Sequence, residues 1–245
     1  MINKFLNLFG MNLVKKNKYN FDNIYKKFMI RNPIVIDVGS KNGETIKRFT
    51  KILKNFECHC FEPSPSFNNL YASYKSNKNI YLNNFGLSNK KEVKDFYILN
   101  QIGMSTLNSI NLNSKNFINK SKRSGVEPDE FIKNKIKIKL FKLDKYIEKK
   151  KISKVFILKI DAEGHESEII LGAINNIKRN LFDFIELEMN LSDFYNKKIN
   201  FLNIEKFLVP YGYKLYGIDR AGNLNIYNNF TINVLYVSKK IENIL

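Results

Sequence analysis

The sequence has 245 residues, of which 44% are hydrophobic, and its formal net charge is +18. This length and apolar content predict one domain with a sizeable core, although two small domains would also fit. The charge would suit a polyanionic partner or an anionic membrane surface. The lysines are spread along the chain, however, and the abundance of Lys, Asn, Ile and Phe is typical of an AT-rich coding sequence. The charge alone therefore does not indicate nucleic-acid binding.

Cys58 and Cys60 are the only two cysteines of the sequence. On a predicted strand their thiols share a face while the imidazole of His59 points away, which argues against a shared metal site. A disulfide between such close strand positions is also disfavoured. We therefore expect buried, reduced thiols and a cytoplasmic protein.

The first 33 residues are predicted to form an amphipathic helical extension. Asn and Lys interrupt the apolar residues of "MINKFLNLFGMNLVKK", so this segment is too short and too broken to span a bilayer. It also lacks the basic start, apolar block and cleavage site of a signal peptide. We expect it to pack in front of the first strand; the alternative is peripheral contact with the inner face of a membrane.

Strand and helix patterns alternate along residues 34–99. Short apolar runs predict strands at "PIVIDV", "ECHCFEP" and "NIYLNNF", and "EVKDFYIL" resembles an extra strand. Between them, "GETIKRFTKILKNF" has apolar residues at helical spacing, and "SPSFNNLYASYKS" begins with a capping serine and a first-turn proline.

Residues 100–135 are polar and show little periodicity. We predict that they form an insertion or lid on the acceptor side of a binding site; the alternative is a solvated insertion.

The alternation resumes after this segment. Strands are predicted at "KIKIKLFKL", "VFILKID" and "DFIELEM", and helices at "DKYIEKKKI", "HESEIILGAINNI" and "NIEKFLVPYGY". The last two strands, "KLYGI" and "INVLYVS", are joined by a short polar turn, which requires antiparallel pairing. Residues 34–245 are therefore predicted to form one α/β domain, with helices on both faces of a mostly parallel sheet that has one antiparallel edge strand.

Ligands of open α/β sheets bind at the carboxyl ends of the strands. The first strand ends in "DVGSKNG", where Gly39 permits a tight turn and Gly43 permits close approach of a backbone. The dinucleotide fingerprint G-x-G-x-x-G is absent, and Asp37 would repel a phosphate. The turn therefore argues against a nicotinamide-dependent dehydrogenase.

The second strand ends in "FEP", which places Glu62 where a ribose-binding acid lies in nucleoside sites of this topology. A carboxylate can accept hydrogen bonds from both ribose hydroxyls. The alternative is a surface glutamate that is favoured by the dipole of the next helix. Together with Asp37, Glu62 suits a positively charged nucleoside such as S-adenosylmethionine.

The segment "LKIDAEGHESEIILGA" contains the densest group of ionisable residues. Lys159 and Asp161 share one side of a strand, and Glu163, His165 and Glu166 follow on a turn. So many charges after a buried strand are costly for packing alone, which indicates that Asp161 and His165 act at a site. The alternative for the histidine is a helix-capping or solvated side chain.

Six segments resemble, in the same order, those of the FkbM-type S-adenosylmethionine-dependent methyltransferases. They are "VIDVGSKNGE", "FEPSP", "NNFGLSN", "GMSTL", "LKIDAEGHESEIILGA" and "IELEM". The resemblance covers roughly residues 34–190. It implies a class I methyltransferase fold, with a seven-stranded sheet and a reversed last strand. It also implies methyl transfer to oxygen, often on a sugar or polyketide hydroxyl.

The resemblance also implies roles for individual residues. It assigns Glu62 to the ribose and Asp161 to the surroundings of the sulfonium and the acceptor. The methionine end would be lined by Asp37, Gly39 and Gly43, and the adenine would lie near Asn84 and Gly86. The first turn has Ser-Lys where the family commonly has Ala-Asn, and we expect Lys41 to point outward.

Methyl transfer to a hydroxyl requires a proton acceptor, for which His165 is the first candidate because imidazole titrates near neutral pH. Asp161 is the second candidate. A magnesium ion held by Asp161, Glu163 or Glu188 is a third way to acidify a hydroxyl, but no ligand spacing decides for or against a metal.

The expected acceptor is a small molecule or a glycan, most simply a sugar hydroxyl of a surface glycan or of a secondary metabolite. One rival function is an RNA or DNA methyltransferase, against which the acidic "DAEGHESE" and the lack of an Asn-Pro-Pro-aromatic turn argue. Another rival is a basic nucleic-acid-binding module without catalysis. The sequence leaves the oligomeric state open.

Overall fold

A computed structural model of the protein describes residues 21–28, 30–100, 104–220 and 231–245. Most of the predicted N-terminal extension lies outside these residues, so its packing and its membrane contact remain predictions. Within the described ranges, no helix is long and apolar enough to cross a membrane.

The described residues form ten strands. In chain order they are β1 (Ile34–Val38), β2 (Glu57–Phe61), β3 (Ile80–Asn83), β4 (Gly86–Leu87), β5 (Glu92–Leu99), β6 (Ile132–Phe141), β7 (Val155–Ile160), β8 (Phe182–Asn190), β9 (Lys214–Arg220) and β10 (Thr231–Val237). Seven of them form one sheet in the order β3-β2-β1-β7-β8-β10-β9, and the other three form a small sheet in the order β4-β6-β5.

Nine helices lie within the same ranges. They are α1 (Phe21–Tyr25), α2 (Glu44–Thr50), α3 (Phe67–Tyr74), α4 (Lys115–Ser124), α5 (Leu143–Lys150), α6 (Glu166–Gly172), α7 (Ile174–Lys178), α8 (Leu202–Leu208) and α9 (Lys239–Glu242). A 3₁₀ turn, Val209–Tyr211, follows α8.

The α/β fold class with a mostly parallel seven-stranded sheet is confirmed. Strands β1, β2, β3, β7 and β8 pair in parallel, and the reversed strand is β10, the last in the chain. It pairs antiparallel with both β8 and β9, so it lies one position in from the edge, which β9 occupies. The short connection between β9 and β10 requires this reversal, because a parallel return would need a long crossover.

Apolar residues bury both faces of the large sheet. Strand β7 is buried at every position, as expected for a parallel strand between two helical layers. An aliphatic cluster that includes Leu158 and Ile185 covers one face, and an aromatic cluster that includes Phe49 and Phe184 covers the other. This packing fixes the carboxyl ends of β1, β2 and β7 side by side.

The polar segment 100–135 is folded where it is described. Helix α4 has Ser114 as its N-cap, whose side chain accepts a hydrogen bond from the Phe117 N–H, and it ends at Gly125 with φ +65°. Phe117 and Phe131 pack against Phe194, which lies beyond β8. The apolar residues of this polar stretch are few and show no period, which hid this small satellite core from the sequence pattern. The lid role and the domain boundaries remain predictions.

A buried charged network joins α1 to the sheet. Arg48 donates to Glu186 at 2.6 Å and to Asp22 at 2.8 Å, and the Tyr25 hydroxyl donates to Glu186 at 2.7 Å. The Glu186 side chain is fully buried in the middle of β8. The network therefore ties the described end of the N-terminal region to the central sheet.

Candidate active site

A cleft opens at the carboxyl ends of β1, β2 and β7. It is lined by Val38, Gly39, Lys41, Phe61, Glu62, Pro63, Ser64, Ser66, Gly86, Leu87, Phe96, Ser105, Leu107, Asp161, Ala162, Glu163, His165 and Ile169. Its free volume is about 70 Å³. Ligand pockets usually hold about 300 Å³ or more. The cleft is therefore smaller than a typical cofactor pocket, and Ser105 and Leu107 belong to its lining.

The turn after β1 is wedged between its two neighbouring strands. The Gly39 N–H donates to the Phe61 carbonyl at 2.9 Å, and the Asp161 N–H donates to the Val38 carbonyl at 2.9 Å. Gly39 has φ +82°, and a Cβ there would lie 1.9 Å from the Asp161 carbonyl oxygen. Only glycine allows this close approach, which brings the ends of β1 and β7 together.

Two further residues of this motif do not line the cleft. A Cβ at Gly43, whose φ is +85°, would lie 2.5 Å from the Tyr74 ring, so this glycine serves the packing of α2 against α3. Asp37 is buried in β1 beside Lys159 of β7, its register partner. Burial raises the pKa of Asp37 to about 6, although the charge of Lys159 opposes the shift.

Glu62 lies at the rim of the cleft and is 4% exposed. Its Oε2 accepts a hydrogen bond from the Lys41 N–H and its Oε1 accepts one from the Ser64 N–H, both at 2.8 Å. A carboxylate has roughly four acceptor sites, so about two remain for hydroxyls in the cleft. The geometry suits the ribose role and also ties the ends of β1 and β2 together.

We expect Glu62→Ala to weaken S-adenosylmethionine binding by about 10- to 100-fold, because two charge-assisted hydrogen bonds to the ribose would be lost. Calorimetric titration measures this loss. Glu57→Ala, at the other end of β2, is a matched control that should bind like the wild type. An affinity within twofold of wild type for Glu62→Ala would remove the ribose role.

The two residues that the resemblance placed near the adenine occupy different positions. Gly86 lines the cleft, and a Cβ there would lie 2.6 Å from Leu140. Asn84 is exposed and outside the cleft lining. The structure therefore brings Gly39, Glu62, Gly86, Asp161 and His165 to one cleft, and leaves Asp37, Gly43 and Asn84 outside its lining.

Three acids form a cluster beside the cleft. One carboxylate oxygen from each of Asp161, Glu163 and Glu188 lies within 4.8 Å of the others. Lys41 enters this cluster, with Nζ at 3.1 Å from Asp161 Oδ2 and 3.5 Å from Glu163 Oε1. The prediction that Lys41 points outward is therefore wrong. The negative potential of three close carboxylates attracts the ammonium group inward.

Burial and charge shift the pKa values of the cluster in opposite directions. Burial and the neighbouring Asp161 raise the pKa of Glu188 to about 8. Burial also acts to raise the pKa of Asp161, but Lys41 and Lys159 outweigh it and hold that pKa below its usual value. The pKa values of these two neighbouring carboxyl groups are therefore pushed apart, that of Asp161 downward and that of Glu188 upward.

His165 lines the cleft with both ring nitrogens near protein partners. Its Nε2 lies 3.0 Å from the Ser88 hydroxyl, and its Nδ1 lies 3.6 Å from Glu168. Burial lowers the pKa of His165 to about 4, so the ring is neutral at physiological pH. A neutral imidazole can accept a proton, and the catalytic role of His165 stays a prediction.

A second cavity of about 370 Å³ adjoins the cleft. Its lining consists of Lys41, Asn42, Glu44, Met104, Lys120, Glu163, Glu188, Asn190 and Thr231. Lys41 and Glu163 line both the cavity and the cleft. The acidic cluster and its lysine thus lie at the junction of two spaces.

The backbone of Glu163 has φ +48°. Side chains from distant segments hold this residue in place. Thr106 and Asn108 donate to its carbonyl oxygen at 2.8 and 3.1 Å, and the Tyr195 hydroxyl donates to its carboxylate at 3.0 Å. Asn108 and Tyr195 were not among the residues that the sequence singled out. No local pattern marks them, although the resemblance did include Thr106 in "GMSTL".

A glycine turn after the first strand, an acid after the second and a reversed last strand next to the edge define a class I, Rossmann-like methyltransferase. Residues 37–215 match the methyltransferase FkbM domain. The chain belongs to this family of S-adenosylmethionine-dependent methyltransferases. Among curated proteins, none matches the chain.

Solved structures that are similar to this chain share little sequence with it. An rRNA methylase from Streptococcus thermophilus is 11% identical, with a TM-score of 0.47 over 92% of this chain and 98% of that one. Fibrillarin from Aeropyrum pernix, in complex with S-adenosyl-L-methionine, is 14% identical, with a TM-score of 0.42 over 90% and 76%. These similarities concern the fold alone.

The residues of the cleft fit S-adenosylmethionine. The close approach at Gly39 forms the floor, Glu62 has free acceptor sites, and the acids near Asp161 suit a cation. They fit a divalent metal less well, because the Lys41 ammonium already pairs with two of the three carboxylates. Magnesium would have to displace this lysine, so we derive no step through a metal.

Proposed function

We propose that the protein methylates a hydroxyl oxygen of a polyhydroxylated acceptor, such as a sugar of a glycan or of a secondary metabolite. One observation supports this proposal above the others: the second cavity meets the cofactor cleft at Lys41 and Glu163. An acceptor in that cavity would face the acids at the sulfonium end of the cleft.

The lining of the cavity suits sugar hydroxyls. Carboxylates of Glu44, Glu163 and Glu188 accept hydrogen bonds, and the amides of Asn42 and Asn190 donate and accept them. Lys41 and Lys120 also line the cavity, so its acidic and basic groups are mixed and it lacks the excess of positive charge that a nucleic-acid phosphate requires. The cavity therefore favours a neutral, hydroxyl-rich acceptor.

The chain's own residues would bind, orient and deprotonate the acceptor. When bound, S-adenosylmethionine supplies a methyl group on a positively charged sulfur. Asp161 lines the cleft and a third space, which it shares with Glu188 of the second cavity, whereas among these spaces His165 lines only the cleft. We therefore favour Asp161 as the group that receives the hydroxyl proton. Glu188, with its pKa of about 8, can retain a proton at neutral pH.

The proposal is tested with purified protein, S-adenosylmethionine labelled in its methyl group, and glycan, metabolite and RNA extracts. We expect label in an alkali-stable methyl ether that is identified by mass spectrometry. Asp161→Asn should reduce transfer about 100-fold or more, with a smaller loss for His165→Gln. Label in RNA or on nitrogen would overturn the proposal, and a larger loss for His165→Gln would reverse the assignment of the base.

We further propose that the protein works in a reducing compartment, in keeping with a cytoplasmic location. Cys58 and Cys60 are buried and free, with their sulfur atoms 3.5 Å apart. Free thiols at such a distance persist where glutathione keeps them reduced.

A further inference from the structure

Lys41 occupies an unusual place for a lysine. Its side chain is 28% exposed, and its ammonium lies within 3.5 Å of two carboxylates at the junction of the two cavities. Its backbone lies in the turn after β1 with φ +50°. Lys41 is also part of the lining of the cleft. Four rotatable carbon bonds would allow the ammonium to leave without any movement of the sheet.

The charge balance of the cluster is nearly complete with Lys41 in place. Asp161 and Glu163 contribute two carboxylates, and Lys41 pairs with both of them. Burial acts to lower the pKa of Lys41, but Asp161, Glu163 and Glu188 outweigh it and hold the pKa above its usual value. Lys159, fully buried behind the cluster in β7, adds a second positive charge. A further cation brought to these acids would therefore meet repulsion while Lys41 remained there.

We propose that Lys41 is a resident cation, which occupies the acidic cluster in the free protein and gives way to the sulfonium of the bound cofactor. Lys41 thereby sets the preference of the protein between S-adenosylmethionine and S-adenosylhomocysteine. This inference rests on the assignment of the cleft to the cofactor and of Asp161 to its sulfonium end.

The two forms of the cofactor differ only in the methyl group and its charge. Every contact to adenine, ribose, amine and carboxylate is common to both, so the ratio of their dissociation constants isolates the charge at the sulfur. Lys41 opposes the cationic form and leaves the neutral form unaffected at that position. After the methyl group has left, Lys41 can return to Asp161 and Glu163, which favours release of the neutral product.

Calorimetric titration of both cofactor forms into wild type, Lys41→Met, Lys41→Arg and Lys47→Met tests the proposal. Met removes the charge at similar length, Arg keeps it, and Lys47 is an exposed lysine of α2. We expect the ratio of the Kd of S-adenosylmethionine to that of S-adenosylhomocysteine to fall about tenfold in Lys41→Met. The ratio should stay near the wild-type value in Lys41→Arg and Lys47→Met. Unfolding temperatures of all four proteins confirm that each is folded.

Three other outcomes would overturn the inference. Equal weakening of both forms in Lys41→Met would show that Lys41 holds a part common to them, such as the carboxylate. Unchanged dissociation constants for both forms would show that its charge is not felt at the sulfur. If the folded wild type bound neither form, the cofactor assignment itself would fail, and the inference with it.

Discussion

Replacing Gly39 with alanine is expected to abolish cofactor binding and to lower the free energy of unfolding by roughly 3–5 kcal/mol. The added Cβ would lie 1.9 Å from the Asp161 carbonyl oxygen, and the backbone at φ +82° would be strained for any residue with a side chain. Because the obstacle is the backbone of Asp161, directly after β7, no side chain can rotate away. The ends of β1 and β7 must then separate, and this separation displaces Glu62 and Asp161 relative to each other.

Thermal unfolding and calorimetric titration measure the two effects. At about 2–4 °C for each kcal/mol in a chain of this size, the melting temperature should fall by roughly 6–20 °C. Gly125→Ala is the matched control: its φ is +65°, and a Cβ there would meet nothing within 4 Å. It should cost only about 1–2 kcal/mol of backbone strain and leave cofactor binding unchanged. Equal effects of the two substitutions would contradict the close approach at Gly39.

The sequence predicted the elements of the sheet and the acids at its carboxyl edge, because both depend on local patterns. Apolar runs identify buried strands, and a strand that ends in Asp-x-Gly or Phe-Glu-Pro places its polar residues at the ligand side. Gly39, Glu62 and Asp161 are at the cleft for this reason. The same patterns could not distinguish Asp37 from the acids that line the cleft. Asp37 lies one residue before the end of the strand and is buried.

The direction of Lys41 could not be predicted from its own segment. Its partners Asp161 and Glu163 follow β7, more than a hundred residues later, and Glu188 comes from β8. The sequence of the turn shows only that Lys41 stands where the family commonly has a neutral residue. The distance between the three acids, which decides where the ammonium lies, exists only after the strands are paired.

Segment 100–135 shows the same limit for packing. Its polar composition predicts a loop. Phe117 and Phe131 nevertheless form a small core with Phe194, which follows β8 in the sequence. Two aromatic residues in a polar stretch have no period of their own. Their burial depends on a partner that the sequence does not place nearby.

The local pattern of β8 predicts the strand correctly. It gives no information about how the strand accommodates its buried acid. "DFIELEM" predicts a buried strand, and Glu186 at its centre is 0% exposed. The strand can contain this acid because Arg48 of α2 and Tyr25 of α1 donate hydrogen bonds to it. Burial acts to raise the pKa of Glu186, but Arg48 outweighs it and holds the pKa below its usual value.

We expect Glu186→Leu to lower the free energy of unfolding by about 3–5 kcal/mol, because it leaves the Arg48 guanidinium buried without its main carboxylate. The double variant Arg48→Met with Glu186→Leu should be more stable than Glu186→Leu alone, since apolar residues in place of a buried ion pair are often tolerated. Chemical denaturation of the wild type and both variants measures these differences. A double variant less stable than the single one would show that the pair contributes net stability beyond the cost of burying it.

The lowered pKa of Glu186 also gives the sign of a pH dependence. Its contribution to stability is present above the pKa of glutamate in the unfolded chain, and it is lost as the pH falls through the lower pKa of the folded state. Stability of the wild type should therefore decline more steeply in acid than that of Glu186→Gln, which has no proton to gain at this site. Denaturation at pH values from neutral down to below about 4, past the pKa of an unperturbed glutamate, compares the two slopes. Parallel slopes would mean that other carboxylates dominate acid unfolding and that the ion pair of α2 and β8 is weaker than its geometry implies.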